Sequence, residues 1–364
     1  MMSEQTSKRP DNVYTPPEVA SLALAEIRAC RDPQARTIST GWASVDRIIR
    51  PLRPGKLMVV HAYTSNYKTG FMTWWARRLA RNILETGGEN DPGAVVYVSW
   101  EDTVEEMGVY DLAHATMINV NVLDDGRVTD EQMRELEGAS MRRAALPLFV
   151  LGDTLGRGSK RPRMTMRHVE NCLGWLREHV AFKPAAIFLD YLNLIAPEKA
   201  SGWGDDNRRT DIMELTYRCR DLGVAHGCPV VLAAQSKRET NNRDWKAPQK
   251  YDVLESSAIE QFADIMISLW YPITSEPLGA AVRYLKDPDG RVTDLVIDEH
   301  LLILSVNKQK KGRAGGWFAL HVEPERNELA PMNKRPKEEP SVELITTTRR
   351  RGGGGNGHEE RMPF

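Results

Sequence analysis

Residues Leu57–Gly70 read LMVVHAYTSNYKTG, and the fold depends on how this stretch is parsed. Leu57 to Val60 make an apolar strand, a run of small and polar residues follows, and Lys68-Thr69 opens a helical pattern from Phe71 to Leu84. This is the layout of a phosphate-binding loop, in which backbone N–H groups along Ala62, Thr64, Ser65, Asn66, Tyr67 and Gly70 and a helix N-terminus would wrap a polyphosphate. Lys68 would neutralise the outer phosphates, and the Thr69 hydroxyl would hold Mg²⁺. The pattern G-x-x-x-x-G-K-[ST] is not met, because Ala62 stands at the first glycine and Tyr67 at the second. An aromatic residue at that second position is expected to demand a loop that keeps φ negative and turns the ring outward. A plain strand–turn–helix accounts for these residues as well as a nucleotide site does, so the rest of the chain must decide.

The chain's 364 residues suffice for one large α/β domain with appendages or for two domains. A net charge of -1 gives no overall attraction to nucleic acid, so any such contact must come from local basic loops. Four cysteines (Cys30, Cys172, Cys219, Cys228) show no C-x-x-C pairing and fit buried thiols in a reducing compartment. No apolar run approaches a membrane span and MMSEQTSKRP lacks a signal-peptide core, so a cytoplasmic location is expected, with no membrane partner.

Three regions follow: an arm and linker helix over 1–37, an α/β domain over 38–330, and a Gly-rich basic tail over 331–364. Residues 1–13 are polar, and Thr15-Pro16-Pro17-Glu18 starts a helix carrying Val19, Leu22, Ala23 and Ile27 on one face. That helix either folds back on its own subunit or docks on a neighbour. Beyond the opening stretch, strands at 94–99, 148–151, 185–190, 229–234 and 265–269 alternate with helical patterns at 103–118, 130–145, 165–180 and 208–226. The alternation predicts a mostly parallel sheet with helices on both faces. Residues 272–299 read as an inserted hairpin or loop, and strands 301–307 and 317–322 flank a basic tip, KQKKGRAGG.

In open α/β sheets ligands sit beyond the carboxyl ends of the strands, and Lys68-Thr69, Glu101, Asp190 and Gln235 all fall there. Asp190 suits a Mg²⁺ contact, Glu101 a base for the attacking water, and Gln235 a sensor of the terminal phosphate. Each has a plainer reading: acids after strands cap helices, as Asp102 before TVEE could, and polar strand ends satisfy stray backbone groups.

The segment DVLESSAIEQFAD (252–264), following Gln235 and a basic loop, closely resembles the D-L-x-E-S-x-x-I-E-Q-x-A-D run of DnaB-like replicative helicases. Thr40 to Asp46 (TGWASVD), Leu52 to Leu57 (LRPGKL), Glu101 after the second strand, Asp190 to Ile195 (DYLNLI) and Lys308 to Gly312 (KQKKG) also resemble that family, over about 18–323. The resemblance implies a RecA-like P-loop motor domain assembling as a hexameric ring, with ATP bound between subunits. It gives Lys68 and Thr69 to phosphate and Mg²⁺, Asp190 to the metal and Glu101 to water activation. Lys308 and Lys310 would reach the next subunit's nucleotide. Lys310 stands where the family has arginine, and a point charge cannot reproduce arginine's fork, unless Arg313 reaches in instead.

The same resemblance implies single-stranded DNA threaded past two loops, one ending at Arg208 and Arg209 and one carrying Lys237, Arg238, Arg243, Lys246 and Lys250, with Trp203 or Trp245 available for stacking. Read plainly, these charges are solvated loop residues. Nothing ahead of residue 14 resembles the family's N-terminal helical domain, so docking of a primase or loader lacks its usual surface. The expected activity is an ATP-dependent DNA helicase or translocase, working with replication or mobile-element proteins. A nucleotide- and DNA-binding platform with slow turnover, suggested by Tyr67 and Lys310, and a recombinase-like ATPase are the alternatives.

Overall fold

Alternation along β1 (Leu57–Ala62) divides the core in two. Met58, Val60 and Ala62 enter one apolar cluster, and Leu57 and Val59 enter the other. The computed structural model describes residues 13–31, 38–86, 93–154, 164–180, 183–195, 205–237, 246–254, 256–286, 292–312 and 314–332. The chain divides into two units, one holding residues 1–35 and 340–364 and the other residues 36–339.

In the first unit, α1 (Pro16–Arg31) carries Val19, Leu22, Leu24 and Ile27, all more than half exposed. Thr15 N–H donates to the Glu18 carboxylate, which holds the first turn as the sequence predicts. Of the polar arm expected at 1–13 and the tail expected at 331–364, residues 1–12 and 333–364 lie outside the described residues.

In the second unit a short helix α2 (Ala43–Asp46) precedes β1. Then follow α3 (Lys68–Thr86), β2 (Gly93–Ser99), α4 (Val104–Thr116), α5 (Val120–Asp124), α6 (Asp130–Ala144) and β3 (Leu148–Leu151). After these come α7 (Met166–His179), β4 (Lys183–Asp190), α8 (Asp205–His226), β5 (Val230–Gln235), α9 (Ser256–Phe262) and β6 (Ile265–Trp270). Of the two readings of 272–299, hairpin or loop, the structure has the hairpin, β7 (Ala281–Lys286) with β8 (Val292–Val296), in a sheet of its own. Three further strands complete the unit: β9 (Leu301–Gln309), β10 (Trp317–Glu323) and β11 (Glu328–Pro331). Among the described residues the main sheet runs β11-β10-β9-β6-β1-β5-β4-β2-β3. The six strands from β6 to β3 are parallel, and β9, β10 and β11 extend them antiparallel. This is the expected α/β, mixed but mostly parallel sheet.

Helix α3 buries Phe71, Met72, Trp74 and Trp75 on one face of the sheet, where Trp74 stacks on Trp42 with centroids 4.4 Å apart. On the other face lie Met166, Val169 and Leu173 of α7 with Ile212, Leu215 and Leu222 of α8. A parallel strand covered on both sides must be apolar throughout, which is why β1, β2 and β5 read as nearly unbroken hydrophobic runs.

Three departures from the sequence expectation concern secondary structure. The helix expected over 103–118 stops at Thr116, where Met117 turns left-handed (φ 57°) and Asn119 caps the separate α5. Thr103, not Asp102, caps α4, in a reciprocal capping box with Glu106. The short β11 continues the sheet past the expected last strand.

Candidate nucleotide site

The carboxyl ends of β1, β4, β2 and β5 bring Lys68, Asp190, Glu101 and Gln235 to one edge of the sheet. Lys68 Nζ lies 2.7 Å from Asp190 Oδ1 and 4.2 Å from the centroid of the Tyr191 ring. The other Asp190 oxygen accepts from Tyr97 OH at 2.8 Å. Burial beside Asp190 pushes the Tyr97 phenol well above its ordinary range, so it remains a donor. A nearly buried lysine–carboxylate pair carries a desolvation cost that only close partners offset, and the tyrosine is the second of them.

Ser99 stands opposite Asp190 in the β2–β4 register, and Trp100 N–H donates to the Asp190 carbonyl at 2.8 Å. Glu101 therefore follows just beyond Asp190 and is exposed. Beside it, Asp102 is pushed up to about 6, first by burial and then by Asp190, Glu101 and Glu106. Gln235 Nε2 donates to Thr64 Oγ1 at 2.8 Å, so the strand-end glutamine touches the loop it would report on. Asn193 Oδ1 in turn accepts from Gln235 N–H at 3.4 Å.

The loop reaches a cradle conformation by a different route from the one its sequence suggests. Tyr67 has φ 59° and Ser65 φ 63°, so the non-glycine residues adopt the left-handed backbone after all. The expectation of negative φ with the ring turned outward is corrected. The ring folds back over α3 and packs against the core, leaving no room at Gly70, where an added Cβ would collide with the tyrosine Cζ. Its hydroxyl meets Asn327, itself left-handed (φ 48°), in the turn before β11. One orientation of the Asn327 amide satisfies all its neighbours. Nδ2 donates to Tyr67 OH (2.7 Å) and to Gly70 O (3.0 Å), while Oδ1 accepts from Thr73 Oγ1 (2.9 Å) and Arg77 (3.2 Å). Arg77 is buried and paired with Asp111 at 2.9 Å, and Arg143 also holds Asp111. Asn66 likewise works structurally: its Nδ2 donates to Thr64 O, and its Oδ1 accepts from Tyr271 N–H at 2.8 Å.

Lys308 and Lys310 sit elsewhere. Lys308 lies opposite Met266 near the amino end of β6 and donates to the Glu260 carbonyl; Lys310 is 3.5 Å from Asp264. Ala62 pairs with Leu269, so Lys310 is five residues, roughly 16 Å, along the sheet from its own loop. Of the expected DNA-facing cations, Lys237 is exposed, whereas Lys246 and Lys250 are engaged by Glu276 and Glu260. Arg208 and Arg209 fall on the first turns of α8. Arg238, Arg243, Trp203, Trp245 and Arg313 lie outside the described residues.

A family model, the DnaB-like helicase C terminal domain, matches residues 37–321. The chain belongs to that family. It is 27% identical over 233 residues to the replicative DNA helicase DnaB of Helicobacter pylori, covering 64% of this chain and 43% of that protein. It is 28% identical over 264 residues to the DnaB of Pasteurella multocida, covering 70% and 52%. The chain thus spans about half the length of these relatives. Among solved structures it is similar to one described as an ATPase domain, with TM-score 0.66 at 18% identity over 86% of this chain and 98% of that one. It is also similar to a DnaB-like replicative helicase described with its interactions with primase, with TM-score 0.65 at 18% identity over 89% and 68%. The RecA-like P-loop fold expected from the sequence is therefore the fold of this DnaB-like chain.

Tyr97, Tyr191, Asn193 and Asn327 are site residues absent from the sequence-based expectation. Tyr191 and Asn193 lie inside the quoted DYLNLI motif and could have been found there; Tyr97 and Asn327 carry no pattern that marks them.

Proposed function

We propose that this DnaB-like chain is the motor of a ring-forming, ATP- and Mg²⁺-dependent helicase or translocase acting on single-stranded DNA. The observation that carries the reading is the Lys68–Asp190 contact at 2.7 Å, with Gln235 bonded to the loop beside it. A lysine paired with a strand-end aspartate is poised to exchange that partner for phosphate, freeing Asp190 Oδ1 while Tyr97 still holds Oδ2. The donor set of Thr69 hydroxyl and one carboxylate oxygen fits Mg²⁺, which keeps several waters and shares its shell with phosphate. Among the described residues no cluster of three or more His, Cys, Asp or Glu could hold a metal by itself, in keeping with a metal held jointly with the nucleotide. The metal would supply charge neutralisation at the transferring phosphoryl group.

Glu101, exposed just past β2, would take the proton of an attacking water. Lys308 and Lys310 are too far from Lys68 of the same chain to serve its nucleotide, which supports a role at the neighbouring subunit's site and hence a ring. The exposed apolar stripe of α1 suits docking on such a neighbour, and replication or mobile-element proteins are the expected partners. A cytoplasmic location agrees with this role; no described helix is long and apolar enough to cross a membrane.

The slow-turnover platform is a second reading, favoured by the Lys308 and Lys310 ammonium groups lying against Glu260 and Asp264 of their own chain. ATP hydrolysis with and without oligo-dT separates the two. The motor predicts DNA-stimulated turnover that vanishes in Lys68→Ala and Glu101→Gln, whereas flat, DNA-independent turnover favours the platform.

A further inference from the structure

Strand β1 is buried along its whole length, yet one of its side chains is an imidazole. His61 is fully buried, on the sheet face it shares with Leu57 and Val59. A polar ring in that position is costly unless both nitrogens are satisfied. They are, and the partners fix the tautomer. Asn307 Nδ2 has two hydrogens, one donated to the Pro248 carbonyl (2.9 Å) and the other to His61 Nε2 (2.9 Å). Nε2 therefore accepts, Nδ1 carries the proton, and Nδ1–H donates to Ser236 Oγ at 2.9 Å.

The chain positions of these partners are what give the contact meaning. His61 precedes Ala62, where the phosphate loop begins. Ser236 follows Gln235, and its N–H donates to the Ala62 carbonyl at 2.8 Å. Pro248 lies just beyond the basic loop that starts at Lys237, and Asn307 precedes Lys308. One neutral ring at the base of the nucleotide loop thus touches Ser236, where the segment proposed to meet DNA begins, and Asn307, on the strand that carries the cations proposed to act on the neighbouring site; Asn307 in turn holds Pro248 at the far end of that segment. Ser268 and Ser305, the ladder neighbours of His61 across β6 and β9, are also buried, so the polar strip crosses three strands.

We propose that His61 is the positioning residue that couples nucleotide occupancy at the phosphate loop to the DNA-facing loop after Gln235 and to the Lys308 strand. The inference rests on the motor reading above. A displacement of Ser236 or Asn307 would leave one imidazole nitrogen without a partner in the core, so the three segments are constrained to shift together.

The test measures ATP turnover of the full chain with and without oligo-dT, in wild type, His61→Leu, His61→Gln and Ser236→Ala. Leucine fills the space without polar atoms, glutamine offers one donor and one acceptor, and Ser236→Ala removes a single hydroxyl should the leucine variant fail to fold. His61→Leu and Ser236→Ala are expected to keep DNA-free turnover within about threefold of wild type and to lose about tenfold of the DNA stimulation, with glutamine restoring most of it. Wild-type stimulation that survives in both His61→Leu and Ser236→Ala overturns the coupling role and leaves the motor reading standing. A proportionate fall in DNA-free and DNA-stimulated turnover also overturns it, since that marks a merely structural residue. Flat turnover in the wild type overturns both.

Discussion

Replacing Tyr67 tests whether the tyrosine is an anchor for the phosphate loop or a plug in it. Tyr67→Phe keeps the ring and removes one hydroxyl, leaving a buried Asn327 N–H without an acceptor, which costs about 1–3 kcal/mol. In Tyr67→Gly a partly buried ring is lost as well, about 3 kcal/mol, the lower end of aromatic truncations. Release of the left-handed backbone returns about 1–2 kcal/mol. The net expectation for glycine is therefore a destabilisation of roughly 2–5 kcal/mol, read from urea denaturation midpoints at constant slope. Because the ring lies over α3 and against the β11 turn, glycine should not raise ATP turnover, even though it restores the ordinary loop residue. Gly70→Ala sharpens the point. Its Cβ would collide with the ring in the wild-type background and be relieved of that collision in Tyr67→Gly, so the two changes should be non-additive by more than about 1 kcal/mol. A Tyr67→Phe protein as stable as wild type, or a many-fold gain in turnover for Tyr67→Gly, would refute the anchor and revive the view of a site tuned down.

Asp102, raised to about 6 mainly by burial among neighbouring acids, binds its proton more readily folded than unfolded. Its contribution to stability is complete below the ordinary carboxylate pKa and is lost as pH rises through about 6, so the denaturation midpoint should fall from about pH 4 to just above pH 6 and fall less in Asp102→Asn. The distance of Lys310 from its own loop predicts complementation. Lys68→Ala and Lys310→Ala chains, each impaired alone, should recover ATP turnover when mixed and reassembled, because some interfaces then pair an intact Lys68 with a neighbour's intact Lys310. Activity that stays at the mean of the two would speak against a shared site.

The parallel half of the fold was legible because both faces of its strands are covered, which forces runs such as AVVYVS and PVVLAA that announce themselves. Lys68, Asp190, Glu101 and Gln235 were legible for a related reason, since each polar residue interrupts an apolar run at a strand end. Tyr67 was misread because the local steric cost of a left-handed tyrosine is only one side of the balance. The compensating hydrogen bond comes from Asn327, 260 residues away, and no local pattern could supply it. Asp102 could serve as a cap on sequence grounds because acids often cap helices, yet Thr103 one residue on forms the reciprocal box with Glu106. The in-chain pairing of Lys246 and Lys250 depends on Glu276 and Glu260 folding back beside them, which charge counting along the sequence cannot see.

The central claim is that the loop from Ala62 to Thr69, strained at Ser65 and Tyr67, still cradles a triphosphate next to Asp190. Isothermal titration of ATP into the protein, with and without Mg²⁺, tests it directly. Saturable uptake that strengthens with Mg²⁺ and disappears in Lys68→Ala is the predicted result; no measurable uptake by the wild-type protein, or uptake indifferent to Lys68, would contradict it.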